Sequence, residues 1–364
     1  MIAVRWLAVF VGLGLASATI LSAIKTVVLP RATQSWLPGI LFRMARRAFR
    51  LLAHDRRSFE ARDAVMAMYA PVTLLLLPVV WVVLTMVSYT AMFWGVGYGS
   101  WSESWWVSGS SLLTLGFAPA NSGVERLLAF SEATIGLGLV ALLIAFLPTI
   151  YGIFSKRETM VTLLDVRAGT PPSAIEFLIR HRRIGWWDEL ATTWVKWEEW
   201  FADIQEAHTS YPALNFLRSP QPELNWINAA GAILDAASLY VACVDDDAGK
   251  APARVLVRAG FISLRRIADF FGVPYPRDPA PGDPIAITRT EFDAALEALA
   301  EGGVPLISDR DAAWEAFAGW RVNYDSVVLE LAEIVMAPYA PWVADRSAVA
   351  AVEPNVTRWG RRRS

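Results

Sequence analysis

Few side chains in this sequence are spaced for chemistry. His54, His181 and His208 lie far apart in unrelated contexts and form no metal-ligand spacing. The one cysteine, Cys243, leaves no intrachain disulfide and reads as a small hydrophobe in a helix. Asp245-Asp246-Asp247 lacks the spaced ligands and closing Glu of a calcium-binding loop, and reads as a solvated helix end. There is no phosphate loop, dinucleotide fingerprint or nucleophile elbow. The segment with chemical potential is one of backbone. Trp105-Trp106-Val107-Ser108-Gly109-Ser110-Ser111-Leu112-Leu113 is a short apolar helix candidate, followed at once by Thr114-Leu115-Gly116-Phe117-Ala118-Pro119. A half-length helix and a Gly-containing turn between two full-length apolar stretches is the pattern of a re-entrant loop. Non-helical backbone at membrane depth is tolerated only where protein buries it or where it lines a water-filled path. The chemistry on offer is therefore that of peptide carbonyls facing a pore or a binding cavity.

Such a loop needs spanning helices on both sides. A bilayer core takes about 20 apolar residues at about 1.5 Å each. Residues 6–24, 64–102 and 133–155 carry no charge and qualify, although 64–102 is too long for one span. Residues 104–124 are broken by Gly, Ser, Asn and Pro and do not make a span. Charged residues are 19% of the chain, below the roughly 25% of soluble domains. Most of that deficit lies before residue 156, which marks a domain boundary.

Charge then orients the spans. Residues 31–63 hold eight arginines against three acids, which places them in the cytoplasm. The second helix, residues 65–93, runs outward, and the third, residues 127–154, returns and ends at Lys156-Arg157. Residues 1–30 become a retained N-terminal span rather than a signal peptide cleaved at Ala16-Ser17-Ala18. Leu37, Leu41, Met44, Ala48 and Leu51 share one helical stripe, with Arg43, Arg46, Arg47 and Arg50 on the other side. This basic amphipathic helix suits the inner membrane surface or packing as a linker on the soluble domain.

In residues 64–157 the outer helix, short helix, loop and inner helix resemble the pore module of the two-helix potassium channel superfamily. That family carries a Thr-Val-Gly-Tyr-Gly-Asp filter where Thr114-Leu115-Gly116-Phe117-Ala118-Pro119 stands here. Trp105 and Trp106 resemble the aromatic cuff of its pore helices. Glu132-Ala133-Thr134-Ile135-Gly136-Leu137-Gly138-Leu139 has the small residues of its inner helix. The resemblance implies a homotetramer with the carbonyls of Thr114, Leu115, Gly116 and Phe117 lining a path for a monovalent cation, potassium first. It implies a left-handed residue at Ala118, which costs a non-glycine about 1–2 kcal/mol. Pro119 removes a backbone donor and the family's acid, which puts potassium selectivity in doubt. Glu132 is expected to support the short helix through Ser110 or Ser111, or to face water. Gly136 and Gly138 are expected to allow close packing or a hinge. Val96-Gly97-Tyr98-Gly99 matches the filter letters better, but it directly follows the second span and reads as a flexible turret. No span carries arginines at every third residue, so voltage-sensor chemistry is not expected.

Residues 158–364 read as a helical cytoplasmic domain. Trp187, Leu190, Trp194, Trp197 and Phe201 form a core stripe at helical spacing. Residues 225–244, 253–271, 289–300 and 312–337 are further helices, and 272–284 is a Pro-rich loop. The basic tail at 358–363 is suited to anionic lipid. The net charge of −2 carries no nucleic-acid signature. The expectation is an all-α, multi-pass plasma-membrane protein of four parts (residues 1–30, 31–63, 64–157 and 158–364). Its expected function is a tetrameric cation channel without a cofactor or enzymatic activity, its partners being membrane lipids and its own copies. A non-conducting scaffold or sensor that keeps the fold is the alternative.

Overall fold

The computed structural model describes residues 2–28, 36–53 and 59–346. The basic tail at 358–363 and parts of the 31–63 segment lie outside the described residues. Every described element is helical, apart from an isolated bridge between Val244 and Leu306. The chain divides into two compact units, Met1–Gly152 and Ile153–Ser364.

The first unit opens with α1 (Ile2–Val27). Gly12, Ala16, Thr19 and Ala23 are its buried stripe, spaced by four, three and four residues. Helices in lipid associate through such small residues, because backbones can then approach closely. The partner is α4 (Tyr69–Val96). A Cβ on Gly12 would meet the Ser88 carbonyl at 2.5 Å, and one on Gly95 would meet the Arg5 carbonyl at 2.6 Å. Early residues of α1 thus face late residues of α4, so the two run antiparallel. Between them come α2 (Trp36–Leu52) and the short α3 (Phe59–Ala67). The rings of Phe42 and Phe49 on α2 pack edge-on against Tyr69, whose hydroxyl donates to the Phe42 carbonyl at 3.1 Å. The expected apolar stripe of α2 is divided. Leu37 is buried and Leu41 partly so, whereas Met44, Ala48 and Leu51 are exposed beside Arg43, Arg47 and Arg50.

The short α5 (Trp101–Leu112) and the long α6 (Gly123–Ala168) complete this part of the chain. The expected stop at Lys156-Arg157 is not where the helix ends. Past those charges Val161, Leu164 and Ala168 are buried at helical spacing, and α6 continues until Gly169 turns left-handed at φ 79°. The charges do not interrupt the backbone of the helix.

The second unit contains the last part of α6 and α7 (Ala174–Arg183), α8 (Leu190–Ser210), α9 (Trp226–Cys243), α10 (Lys250–Phe271), α11 (Arg289–Glu301), α12 (Arg310–Arg321) and α13 (Asp325–Val335). The expected helix over 312–337 is two helices. Between them Arg321, Tyr324 and Asp325 turn into the core. Arg321 pairs with Asp235 and with Asp325 (2.8 Å) and donates to the Trp342 carbonyl at 2.6 Å; the Tyr324 hydroxyl donates to Asp235 at 2.9 Å. Asp235 on α9 thus receives both Arg321 at the end of α12 and Tyr324 in the turn before α13. The aromatic stripe from Trp187 to Phe201 is buried as expected.

Among the described residues, four helical stretches are long and apolar enough to cross a membrane: Ile2–Val27, Ala61–Val96, Gly123–Ala168 and Trp226–Cys243. The fourth, α9, differs in setting. Its apolar window is 94% buried, and it forms the centre of the second unit's own core.

Candidate functional site

The site is built from the end of α4, from α5, from the loop after it and from the start of α6, all within the first unit. Gly97 closes α4 in the left-handed region at φ 101°, and Gly99 follows at φ 119°. The Val96-Gly97-Tyr98-Gly99 letters are therefore a helix stop and a turn. Ser100 then starts α5 through a capping box: its hydroxyl accepts from the Glu103 N–H at 3.2 Å, and the Glu103 carboxylate accepts from the Ser100 N–H at 2.7 Å. With twelve residues, α5 is about 18 Å long at about 1.5 Å per residue, short of a core about 30 Å thick. Val107, Ser108, Gly109, Ser110 and Leu112 are buried; Trp105 is half-buried and Trp106 is 60% exposed. Within one chain the two tryptophans thus form no common cuff.

The loop begins as a helix stop. The Thr114 N–H donates to the Ser111 carbonyl at 3.0 Å and the Leu115 N–H to the Ser110 carbonyl at 2.8 Å. With Thr114 left-handed at φ 56°, this is the Schellman pattern, in which glycine is the usual left-handed residue. Ser110 also takes the Gly116 N–H on its carbonyl at 3.4 Å, and the Phe117 and Ala118 N–H groups on its hydroxyl at 3.0 and 3.2 Å. Four consecutive N–H groups converge on one residue. The carbonyls of residues 114–118 accept no hydrogen bond among the described residues. Leu115, Gly116 and Phe117 are exposed. The Tyr98 hydroxyl fastens the far end by donating to the Pro119 carbonyl at 2.9 Å.

The strain expected at Ala118 lies elsewhere. Thr114 and Gly116 (φ 72°) are the left-handed residues of the loop, and Ala118 is not one. The Schellman stop demands its left-handed residue immediately after the helix, which a filter pattern laid on the letters does not reveal.

Glu132 and Gly136 sit one turn apart on α6 and meet α5. The Glu132 carboxyl lies 2.5 Å from the Ser108 hydroxyl. Its expected partners Ser110 and Ser111 are otherwise placed: Ser110 holds the loop and Ser111 receives Thr114. Ser108 was missed, although it stands four residues before Leu112 just as Glu132 stands four before Gly136. A Cβ on Gly136 would clash with the Leu112 carbonyl, whereas one on Gly138 would meet nothing within 4 Å. Gly136 is a close-packing glycine, and Gly138 faces outward.

No protein-family model, curated protein sequence or solved structure matches this chain.

The second unit holds its own buried polar groups. Asp246 accepts from the Trp187 indole N–H at 2.9 Å and the Tyr240 hydroxyl at 2.7 Å, so the acidic run is a loop anchor. Arg157 is buried, paired with Glu158 at 2.7 Å, and donates to the carbonyls of Leu214 and Leu217, both at 2.7 Å. His208 stands 3.3 Å from it. Burial, and then the nearby Arg157 charge, push the His208 imidazole well below its ordinary range, so it is neutral at pH 7. His181 is buried on a different helix, α7, with Nδ1 at 2.7 Å from the Phe177 carbonyl.

Proposed function

We propose that this chain is one subunit of a homotetrameric cation channel, with ions passing along the carbonyl oxygens of Thr114, Leu115, Gly116 and Phe117. The observation that carries this reading is the divided polarity of the loop. Its N–H groups are taken by Ser111 at Thr114 and by Ser110 from Leu115 to Ala118, while its carbonyls have no partner among the described residues. Unpaired carbonyls at membrane depth are tolerated where they face water or ions, and a ring of them replaces a cation's hydration shell. One loop cannot enclose a path, so several copies must share an axis, and the potassium-channel resemblance makes the number four. The apolar exposed face of α6, with Leu127, Phe130, Leu137, Val140 and Ile144, is available to lipid and to neighbouring subunits. Potassium is the first cation to test. The missing acid at Pro119 and the missing glycine at Ala118 argue for weaker selectivity than the family filter. In this reading the membrane is the plasma membrane, and residues 31–63 and the second unit lie on its cytoplasmic side.

The test is ion flux through purified protein in liposomes with unequal potassium and sodium, paired with its mass in mild detergent. A tetramer that conducts, and a Gly116→Val variant that inserts but does not, are the expected results. A stable monomer or dimer without flux would support the non-conducting scaffold or sensor. Unchanged flux in Gly116→Val would move the path away from this loop.

A further inference from the structure

The three helices of the site converge on a single hydroxyl. Ser108 on α5 lies 3.0 Å from the Met86 carbonyl on α4 and 2.5 Å from the Glu132 carboxyl on α6, each with hydrogen-bonding geometry. A serine hydroxyl has one proton. The Met86 carbonyl is an acceptor only. If Ser108 donates to it, the contact to Glu132 needs a second proton, and Glu132 is the one group of the three that can carry it.

The surroundings agree. Glu132 is fully buried and its second oxygen has no hydrogen-bond partner. The titratable groups near it are few. α4 has no charged residue and contributes Tyr89, whose hydroxyl lies 2.9 Å from Ser131. α5 contributes Glu103, bound in its exposed capping box. α6 contributes Glu125 and Arg126, whose carboxylate and guanidinium are tied to the backbone of residues 120–122. An ionised carboxylate would sit there without a cation, and buried charge of that kind neutralises instead.

We infer that Glu132 is a protonated carboxylic acid that bolts α5 to α4 and α6 through Ser108, making the position of the loop-bearing helix dependent on one proton. This rests on the three-helix junction and stands whether or not the protein conducts ions.

Infrared difference spectroscopy of the full-length protein in lipid tests the proton directly. Wild type minus Glu132→Gln at pH 7 should show a protonated carboxyl stretch that shifts in heavy water. A difference spectrum with carboxylate bands and no such stretch would overturn the inference. Amide hydrogen exchange supplies the mechanical readout. Glutamine also donates to Ser108, so Glu132→Gln should keep α5 as protected as wild type at pH 7 and lose less protection at alkaline pH. Glu132→Ala should lose α5 protection at every pH. Should that variant fail to fold, the spectrum and the glutamine variant still decide. Equal alkaline loss in wild type and Glu132→Gln would count against the proton.

Discussion

Ser110 accepts four consecutive peptide groups through two oxygens, and the two oxygens are separable by mutation. In Ser110→Ala the carbonyl keeps Leu115 and Gly116, while Phe117 and Ala118 lose their acceptor. Both bonds are only part-buried, so their loss should cost about 1 kcal/mol, the net worth of an ordinary hydrogen bond. Thermal unfolding in detergent should fall accordingly, and the far half of the loop should become more accessible to protease than the near half. Thr114→Gly should act in the opposite direction. Thr114 is left-handed at φ 56°, which costs a residue with a Cβ about 1–2 kcal/mol. Glycine should recover about 1 kcal/mol of this, less its greater freedom in the unfolded chain. Ala118→Gly recovers nothing of the kind, since that residue is not left-handed. A stability ranking of Thr114→Gly above wild type, and wild type above Ala118→Gly, would bear out this reading of the loop.

At the scale of elements, the register of α5 on α6 is set by two contacts one turn apart, Ser108 with Glu132 and Leu112 with Gly136. Gly136→Ala drives a methyl into the Leu112 carbonyl and should cost about 1–3 kcal/mol as overpacking. Gly138→Ala meets open space and should be neutral or stabilising by up to about 1 kcal/mol through helix propensity. Denaturation of the two variants side by side checks the contrast. The same register explains what the sequence made legible. The span candidates α1, α4 and α6 show in hydropathy, because each carries a long uninterrupted apolar run. The half-length α5 shows because Ser, Gly and Pro break the stretch after it. Which of Ser108, Ser110 and Ser111 faces Glu132 does not show, because it depends on how far two backbones approach at Gly136. The division of the expected 312–337 helix is hidden for a similar reason: its cause, Asp235, lies on α9. A separate element test concerns α11. Arg346 bonds to Glu291 at 2.8 Å and holds its carboxyl at about 2, against an ordinary 4.5. A depressed carboxyl favours the folded state above its unfolded value, and that advantage is lost as pH falls from 4.5 towards 2. Glu291→Gln should therefore lower the melting temperature at pH 7, and the gap to wild type should close across that acid window.

For the molecule as a whole, the proposed topology puts the two units in different solvents, although each contains a helix long and apolar enough for lipid. α9 meets the length and apolarity of a span, yet Asp235 stands near its middle. In the folded second unit that carboxylate is matched by Arg321 and Tyr324. While the chain is still being made, Arg321 is not yet there to match it, and Asp235 meets the insertion machinery alone. An aspartate at the centre of a would-be span opposes insertion by about 2.5–3.5 kcal/mol, where a leucine would favour it by about 0.5 kcal/mol. In the proposed topology one residue would act twice, first as a veto on membrane entry and later as an anchor for α12 and α13. Asp235→Leu should send a fraction of chains into the bilayer at α9 and put a tag fused after Ser364 on the opposite face. Arg321→Leu breaks the same buried pair without changing the hydropathy of α9, and it should leave that tag where it was. If both tags behave so, the order in which the two partners leave the ribosome, acid before base, is part of how the topology of this chain is decided.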